Sequence, residues 1–257
     1  MLVPVRNLRV VKYQLILFKI MIKILVRILN RFFKLGLYRV QPITRFQLLS
    51  EALNRQHRPI KFVQIGANDG ISFDDLYLTV TSGRWSGIVV EPLKDLFDRL
   101  SFNYQDYPQV VPVNVAVHPN KEFETMYRVN KNCLKNYPSW AAGIASMSKS
   151  HLLKNNILEN DILSENVICR SMMGLLREHC CIDADVLQID TEGFDGEILK
   201  MIDFTEFRPI VVKFEWMCLS KDDQIKVRKI LENSGYIFRV ESDGADGVAW
   251  LKNSISP

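Results

Sequence analysis

Three observations predict an α/β fold with a mostly parallel sheet that closes in an antiparallel hairpin. Short apolar runs alternate with helix-patterned segments from residue 60 to residue 234. The first run leads into a turn bracketed by glycines, FVQIGANDG (62–70), and the second ends in an acid, GIVVE (87–91). Two last runs flank a Gly- and Asp-rich turn in YIFRVESDGADGVAWLK (236–252). Strand–helix alternation means crossover connections and a buried parallel sheet. The tail reads as a hairpin added at the sheet edge.

An N-terminal arm precedes this body. Of the 33 Lys and Arg, ten lie in residues 1–50, where there is no acid before Glu51; the remaining 23 face 29 acids. A mildly acidic body is not expected to bind nucleic acid. Within the arm, residues 11–38 place Lys12, Lys19, Lys23, Arg27, Arg31 and Lys34 in an arc of about 120°, with Asn30 beside them and apolar residues over most of the rest. No uncharged run approaches the ~18 residues that span a bilayer. Residues 1–40 therefore read as a basic amphipathic helix lying in an interface. It would hold a cytoplasmic protein peripherally on the anionic inner face of a membrane. A helix packed on its own domain or on a second subunit, and an organellar transit peptide, are the alternatives.

Residues 41–257 read as one domain. PITRFQLLSEALNRQHRP (42–59) has helical spacing and stops at Pro59. Strands are expected at 61–65, 87–91, 109–113, 185–189 and 210–214, and helices at 72–82, 93–104, 171–180, 195–202 and 221–234. Between Val115 and about Cys169 the alternation lapses into a loop-heavy stretch. Placed after the third strand, this insertion (about 118–168) is expected to cover the carboxyl edge as a lid. The five cysteines contain no CxxC pair. They fit buried thiols in a reducing compartment rather than disulfides or a structural zinc.

Candidate functional residues gather at the strand ends. In the first turn Gly66, Ala67, Asn68, Asp69 and Gly70 present backbone N–H groups to a ligand at the carboxyl edge. Glu91, 21 residues after Gly70, can accept both hydroxyls of a ribose. Asn114 and Ala116, in the third run VNVAV (113–117), can face an adenine. A nicotinamide site wants GxGxxG, and the middle glycine is missing. The sulfonium and amine of S-adenosyl-L-methionine suit Asn68 and Asp69 better. In VLQIDTEGFDGEIL (186–199), Asp190 and Glu192 protrude toward the cleft, whereas Asp195 and Glu197 read as acids at a helix start. Lys213 and Glu215 share a face at the end of the fifth strand.

These blocks, with LLREH and VVKFEW, resemble the FkbM-type methyltransferases over residues 60–252, and IDTEG after the fourth strand is the most specific match. The resemblance implies a Rossmann-like class I methyltransferase sheet, S-adenosyl-L-methionine as cofactor, and O-methylation of a hydroxyl on a sugar, glycan or polyketide-like acceptor. Carried over, Gly66, Asn68, Asp69 and Gly70 line the methionine, Glu91 the ribose, Asn114 and Ala116 the adenine, and Asp190 the edge where donor meets acceptor. Many members carry an acid two residues before the first glycine; this chain has Gln64, so that contact must come from Asp69 or elsewhere.

Methyl transfer from a sulfonium is an in-line displacement in which positioning and a base for the hydroxyl matter most. The expected bases are Asp190, Glu192 and Glu215, with Lys213 and His118 behind them. Trp140, Ser146, Lys149 and His151 in the lid would select the acceptor, a sugar, glycan or lipid-linked glycan. No metal is expected: Asp190 and Glu192 offer oxygens, but no third ligand stands out. A nicotinamide-dependent oxidoreductase and a non-catalytic binding module on the same fold are the rival readings.

Overall fold

The structure is a computed structural model that describes residues 43–252, 254 and 255. The basic arm at 11–38 lies outside the described residues, and no described helix is long and apolar enough to cross a membrane.

Thr44 opens the first helix, α1 (Arg45–Asn54), through a reciprocal capping box with Gln47. Three strands joined by two helices follow: β1 (Ile60–Ile65), α2 (Tyr77–Ser82), β2 (Trp85–Val90), α3 (Lys94–Asn103) and β3 (Val110–Val113). After an insertion come α5 (Met172–Glu178), β8 (Val186–Ile189), α6 (Asp195–Met201), β9 (Val211–Glu215) and α7 (Lys221–Asn233). Serines cap both flanking helices, Ser171 for α5 and Ser220 for α7. The hairpin β10 (Tyr236–Val240) and β11 (Asp246–Leu251) ends the sheet.

The strand order is β10-β11-β9-β8-β1-β2-β3. β11 runs antiparallel to both neighbours, and the pairings among the other five strands are parallel. This is the architecture the sequence predicts. The sheet is buried on both faces because its strands alternate between two cores. Val63, Ile65, Ile88 and Val90 pack with α5, α6 and α7, while Ile60, Phe62, Trp85 and Val89 pack with α1, α2 and α3. Sheet order reverses between β1 and β8, so a crevice opens at their carboxyl ends.

Three local expectations are corrected. The helix expected over 72–82 begins only at Tyr77, because Phe73 takes a left-handed φ of 61° and the Asp74 carboxylate captures the Leu76 N–H at 2.6 Å. The third strand stops at Val113, as 109–113 implied, but VNVAV (113–117) does not extend it: Ala116–Val117 forms a separate short strand, β4, paired with β7 (Ile162–Arg170). The insertion is not loop-heavy. It holds a second, four-stranded sheet ordered β4-β7-β5-β6, in which β5 (Phe123–Val129) pairs antiparallel along its whole length with β7. β6 (Ala145–Ser146) and α4 (Lys149–Lys154) complete it. These strands were masked in the sequence because only one face is buried: Met126, Val167 and Cys169 face inward, and Phe123, Leu163 and Ile168 face out. Arg128 of β5 ties the insertion to α3 by pairing with Asp95 at 2.5 Å.

Candidate functional site

The first turn is shaped by the protein's own packing. Gly66 has φ +80°, and a Cβ there would lie 1.7 Å from the Asp190 carbonyl oxygen of the neighbouring strand. Gly70 has φ +77°, and its Cβ would strike Leu100 of α3 and Tyr104, which caps that helix. Both glycines are needed to seat the turn between β8 and α3. Asn68 also takes a left-handed φ of 51°, which asparagine tolerates better than most residues.

Beside this turn, at the carboxyl ends of β1, β2 and β8, lies a cleft of about 1050 Å³ including its open mouth. Of the residues expected to hold a cofactor, Gly66, Ala67, Asn68, Glu91, Ala116 and Asp190 line it. Asp69, Gly70 and Asn114 do not. The Asp69 carboxylate closes its own turn, accepting from the N–H groups of Ile71 (3.0 Å) and Ser72 (2.7 Å) and from the Ser72 hydroxyl (2.9 Å). Burial pushes its pKa up, but these donors outweigh it and hold the carboxyl below its ordinary value. The Asn114 amide donates to the carbonyls of Glu91 (2.8 Å) and Pro92 (2.9 Å), fastening the exits of β2 and β3 together.

Glu91 is buried behind the turn. Its carboxyl accepts from the N–H groups of Asn68 (3.0 Å) and Leu93 (2.9 Å), which aims it along the cleft wall. Burial, opposed by those donors, pushes its pKa up to about 8. Deeper in, the register sets Gln64 of β1 against Gln188 of β8. Both side-chain oxygens are buried without a hydrogen-bond partner, and so is one oxygen of Asp74; all three residues line the cleft. An unpaired buried polar atom costs about 1–3 kcal/mol. Unpaired acceptors on the cleft lining suit a donor-rich ligand group. Apolar side chains of Leu96, Val115, Val117 and Met126 form another part of the lining. Acceptors for an ammonium, a carboxyl for ribose hydroxyls and an apolar wall for a purine fit S-adenosyl-L-methionine. Sequence reasoning missed Asp74 and Gln188. The only signal was a polar residue in the middle of each of two otherwise apolar strands and an acid in the following loop.

The other end of the cleft is acidic. Asp190 follows β8 and lines the cleft, where its side chain is exposed. Desolvation, then repulsion from Asp195, Glu192 and Glu215, pushes its carboxyl well above the usual range. Glu192 lines the cleft on a left-handed backbone (φ 51°), and its carboxylate meets His151 Nε2 of α4 at 3.1 Å. Glu215 does not line the cleft. Burial, then Glu192, pushes its pKa up to about 7, and one of its oxygens is buried without a partner. Asp195 is fully buried and structural, accepting from the Thr191 N–H and hydroxyl and from the Glu215 N–H.

The lesser base candidates are otherwise engaged. Lys213 Nζ sits 2.5 Å from Asp75 and 3.0 Å from Asp246. Burial lowers its pKa, but the two acids win and keep the amine charged. His118 Nδ1 accepts from the Asn120 and Lys121 N–H groups, and its ring stacks on Phe194. Of the four lid residues, Trp140 lines the cleft, Ser146 donates to the Glu192 carbonyl at 2.8 Å, and Lys149 pairs with Glu159 away from it.

Comparison with known proteins follows this geometry. The family described as methyltransferase FkbM domain matches residues 64–238. A search of curated proteins finds no match. Among solved structures, the methyltransferase FkbM from Methylobacillus flagellatus KT is 15% identical, with a TM-score of 0.45 over 75% of this chain and 43% of that one. The METTL16 methyltransferase domain is 13% identical, with a TM-score of 0.45 over 84% and 70%. Precorrin-6y C5,15-methyltransferase from Geobacter metallireducens GS-15 is 12% identical, with a TM-score of 0.40 over 79% and 86%. With its family match across most of the body and its five parallel strands closed by an antiparallel hairpin, the chain belongs to the FkbM methyltransferase family, whose class I fold implies use of S-adenosyl-L-methionine.

Proposed function

We propose that this protein is an S-adenosyl-L-methionine-dependent O-methyltransferase acting on a hydroxyl of a sugar, glycan or lipid-linked glycan. The observation that carries the reading is one cleft with unpaired acceptors at its floor and the carboxyls of Asp190 and Glu192 at its other end. When bound, S-adenosyl-L-methionine supplies a methyl group on a cationic sulfur. The chain's residues do the rest. Gln64, Gln188 and Asp74 take the ammonium, Glu91 takes the ribose hydroxyls, and the apolar wall takes the purine. Asp190 and Glu192 stand where an acceptor hydroxyl would arrive. A carboxylate whose pKa burial has raised is a better proton acceptor near neutrality than an exposed one. Trp140 at the mouth offers a flat apolar surface to a sugar ring. Residues 11–38 would bring the cleft to an anionic membrane surface, and with it to lipid-linked acceptors.

The test is to incubate the protein with S-adenosyl-L-methionine and extracted glycans and lipid-linked sugars, and follow the gain of one methyl by mass spectrometry. Asp190→Asn should lower kcat by about 10²–10⁴-fold with a much smaller change in binding of S-adenosylhomocysteine. Equal turnover by this variant would remove Asp190 from the reaction.

A further inference from the structure

At one edge of the cleft, with Glu192 shared between the two, four donor side chains from four elements meet at the seam between the insertion and the main sheet. They are His151 of α4, Glu192 of the loop after β8, Glu215 at the end of β9, and Cys218 in the turn that follows. His151 Nε2, a Glu192 carboxylate oxygen and Cys218 Sγ all lie within 4.8 Å of one another. Cys218 Sγ is also 2.9 Å from Glu215 Oε1, and Glu215 Oε2 is buried with no partner. We propose that these four side chains form a binding site for a zinc-class divalent transition metal ion.

The donor set decides the class of ion. A thiol and an imidazole beside two carboxylates are borderline ligands that suit Zn²⁺ or Co²⁺, not Mg²⁺ or Ca²⁺. A tetrahedral site with such bonds spaces its donors about 3.3–3.8 Å apart, so side-chain shifts of about an ångström close it. Charge supports the reading. Asp190, Glu192, Glu215 and Asp195 crowd together, and the nearest buried cation on the same strand, Lys213, is already held by Asp75 and Asp246. On binding, the Cys218 thiol proton leaves to solvent as the Cys218–metal bond forms. The backbone agrees as well. Glu192 holds a left-handed φ that costs a non-glycine residue on the order of 1 kcal/mol, and this conformation turns its carboxylate to His151. Bound there, the ion would pin α4 and the insertion to the sheet edge at the rim of the cleft. Sequence spacing could not show this, since the donors sit at positions 151, 192, 215 and 218 with no paired motif.

The site stands apart from the methyl-transfer reading, because uptake is measured without cofactor or acceptor. Full-length protein, stripped with chelator and dialysed, is titrated with Zn²⁺ against a chromophoric competitor and, separately, with Co²⁺ under an absorbance scan. The expected result is one equivalent bound, with intense visible bands of tetrahedral Co²⁺ and a thiolate-to-metal band in the near ultraviolet. Cys218→Ser should weaken Zn²⁺ binding at least tenfold and abolish the thiolate band. Cys218→Asp should keep Co²⁺ binding without that band, and Cys180→Ser should change nothing. Circular dichroism on each variant confirms that it folds. No uptake by the wild type, or uptake and spectra untouched by Cys218→Ser, Cys218→Asp and His151→Gln, would overturn the proposal.

Discussion

At residue scale, the cleft is set by groups whose preferences oppose one another. Gly66 illustrates the steric side: a methyl 1.7 Å from the Asp190 carbonyl cannot be absorbed by a side-chain shift. Gly66→Ala should therefore destabilise by more than about 3 kcal/mol, read by urea denaturation. The electrostatic side is a pH prediction. Folding raises the carboxyls of Asp74 to about 6 and Glu91 to about 8, in both cases chiefly by burial. A carboxyl raised on folding contributes stability that is complete below its unfolded pKa and lost as pH rises through the folded one. The ligand-free protein should thus lose thermal stability between about pH 4.5 and 8. Binding should run the other way, because an ammonium and ribose hydroxyls favour ionised carboxylates. S-adenosylhomocysteine should bind more tightly at pH 8.5 than at pH 6, with protons released, as calorimetry in buffers of different ionisation enthalpy would show. Affinity that is flat or falls with pH would separate Glu91 and Asp74 from the ligand.

At element scale, the insertion is fastened to the sheet by few but well-placed ties. Arg128 is buried, and it and Lys131 pair with Asp95. Burial pushes the Asp95 carboxyl up, but these cations hold it well below the usual range. Arg128→Met should cost about 2 kcal/mol and raise hydrogen exchange in β5 and β7 more than in β1 and β8. Uniform exchange across both sheets would show that the tie is not specific to the insertion. The elements also show what a sequence reveals. β1, β2, β8 and β9 were legible because both their faces are largely buried, giving mainly apolar runs bounded by turns. β5 and β7 were not, since one exposed face dilutes the pattern with Glu, Thr, Asn and Arg. Glu91 and Asp190 were found because strand ends are positions in sequence. Gln64–Gln188 and His151–Glu192 were missed as pairs because only register and tertiary packing bring them together.

At the scale of the whole molecule, the proposed function divides labour between a basic arm and an acidic body: the arm would choose where the protein works, and the cleft what it does there. Removing residues 1–42 should abolish binding to vesicles rich in anionic lipid while leaving affinity for S-adenosylhomocysteine within about twofold. Sedimentation with vesicles checks the first part and calorimetry the second; retained vesicle binding would assign the attachment to the body. Everything on the catalytic side depends on the cleft being the seat of a sulfonium nucleoside. The most direct measurement is a crystal structure grown with S-adenosylhomocysteine. The account predicts its ammonium within hydrogen-bond distance of Gln64, Gln188 or Asp74, and its ribose on Glu91. Nucleoside bound elsewhere, or bound in the cleft with its ribose turned away from Glu91, would contradict it.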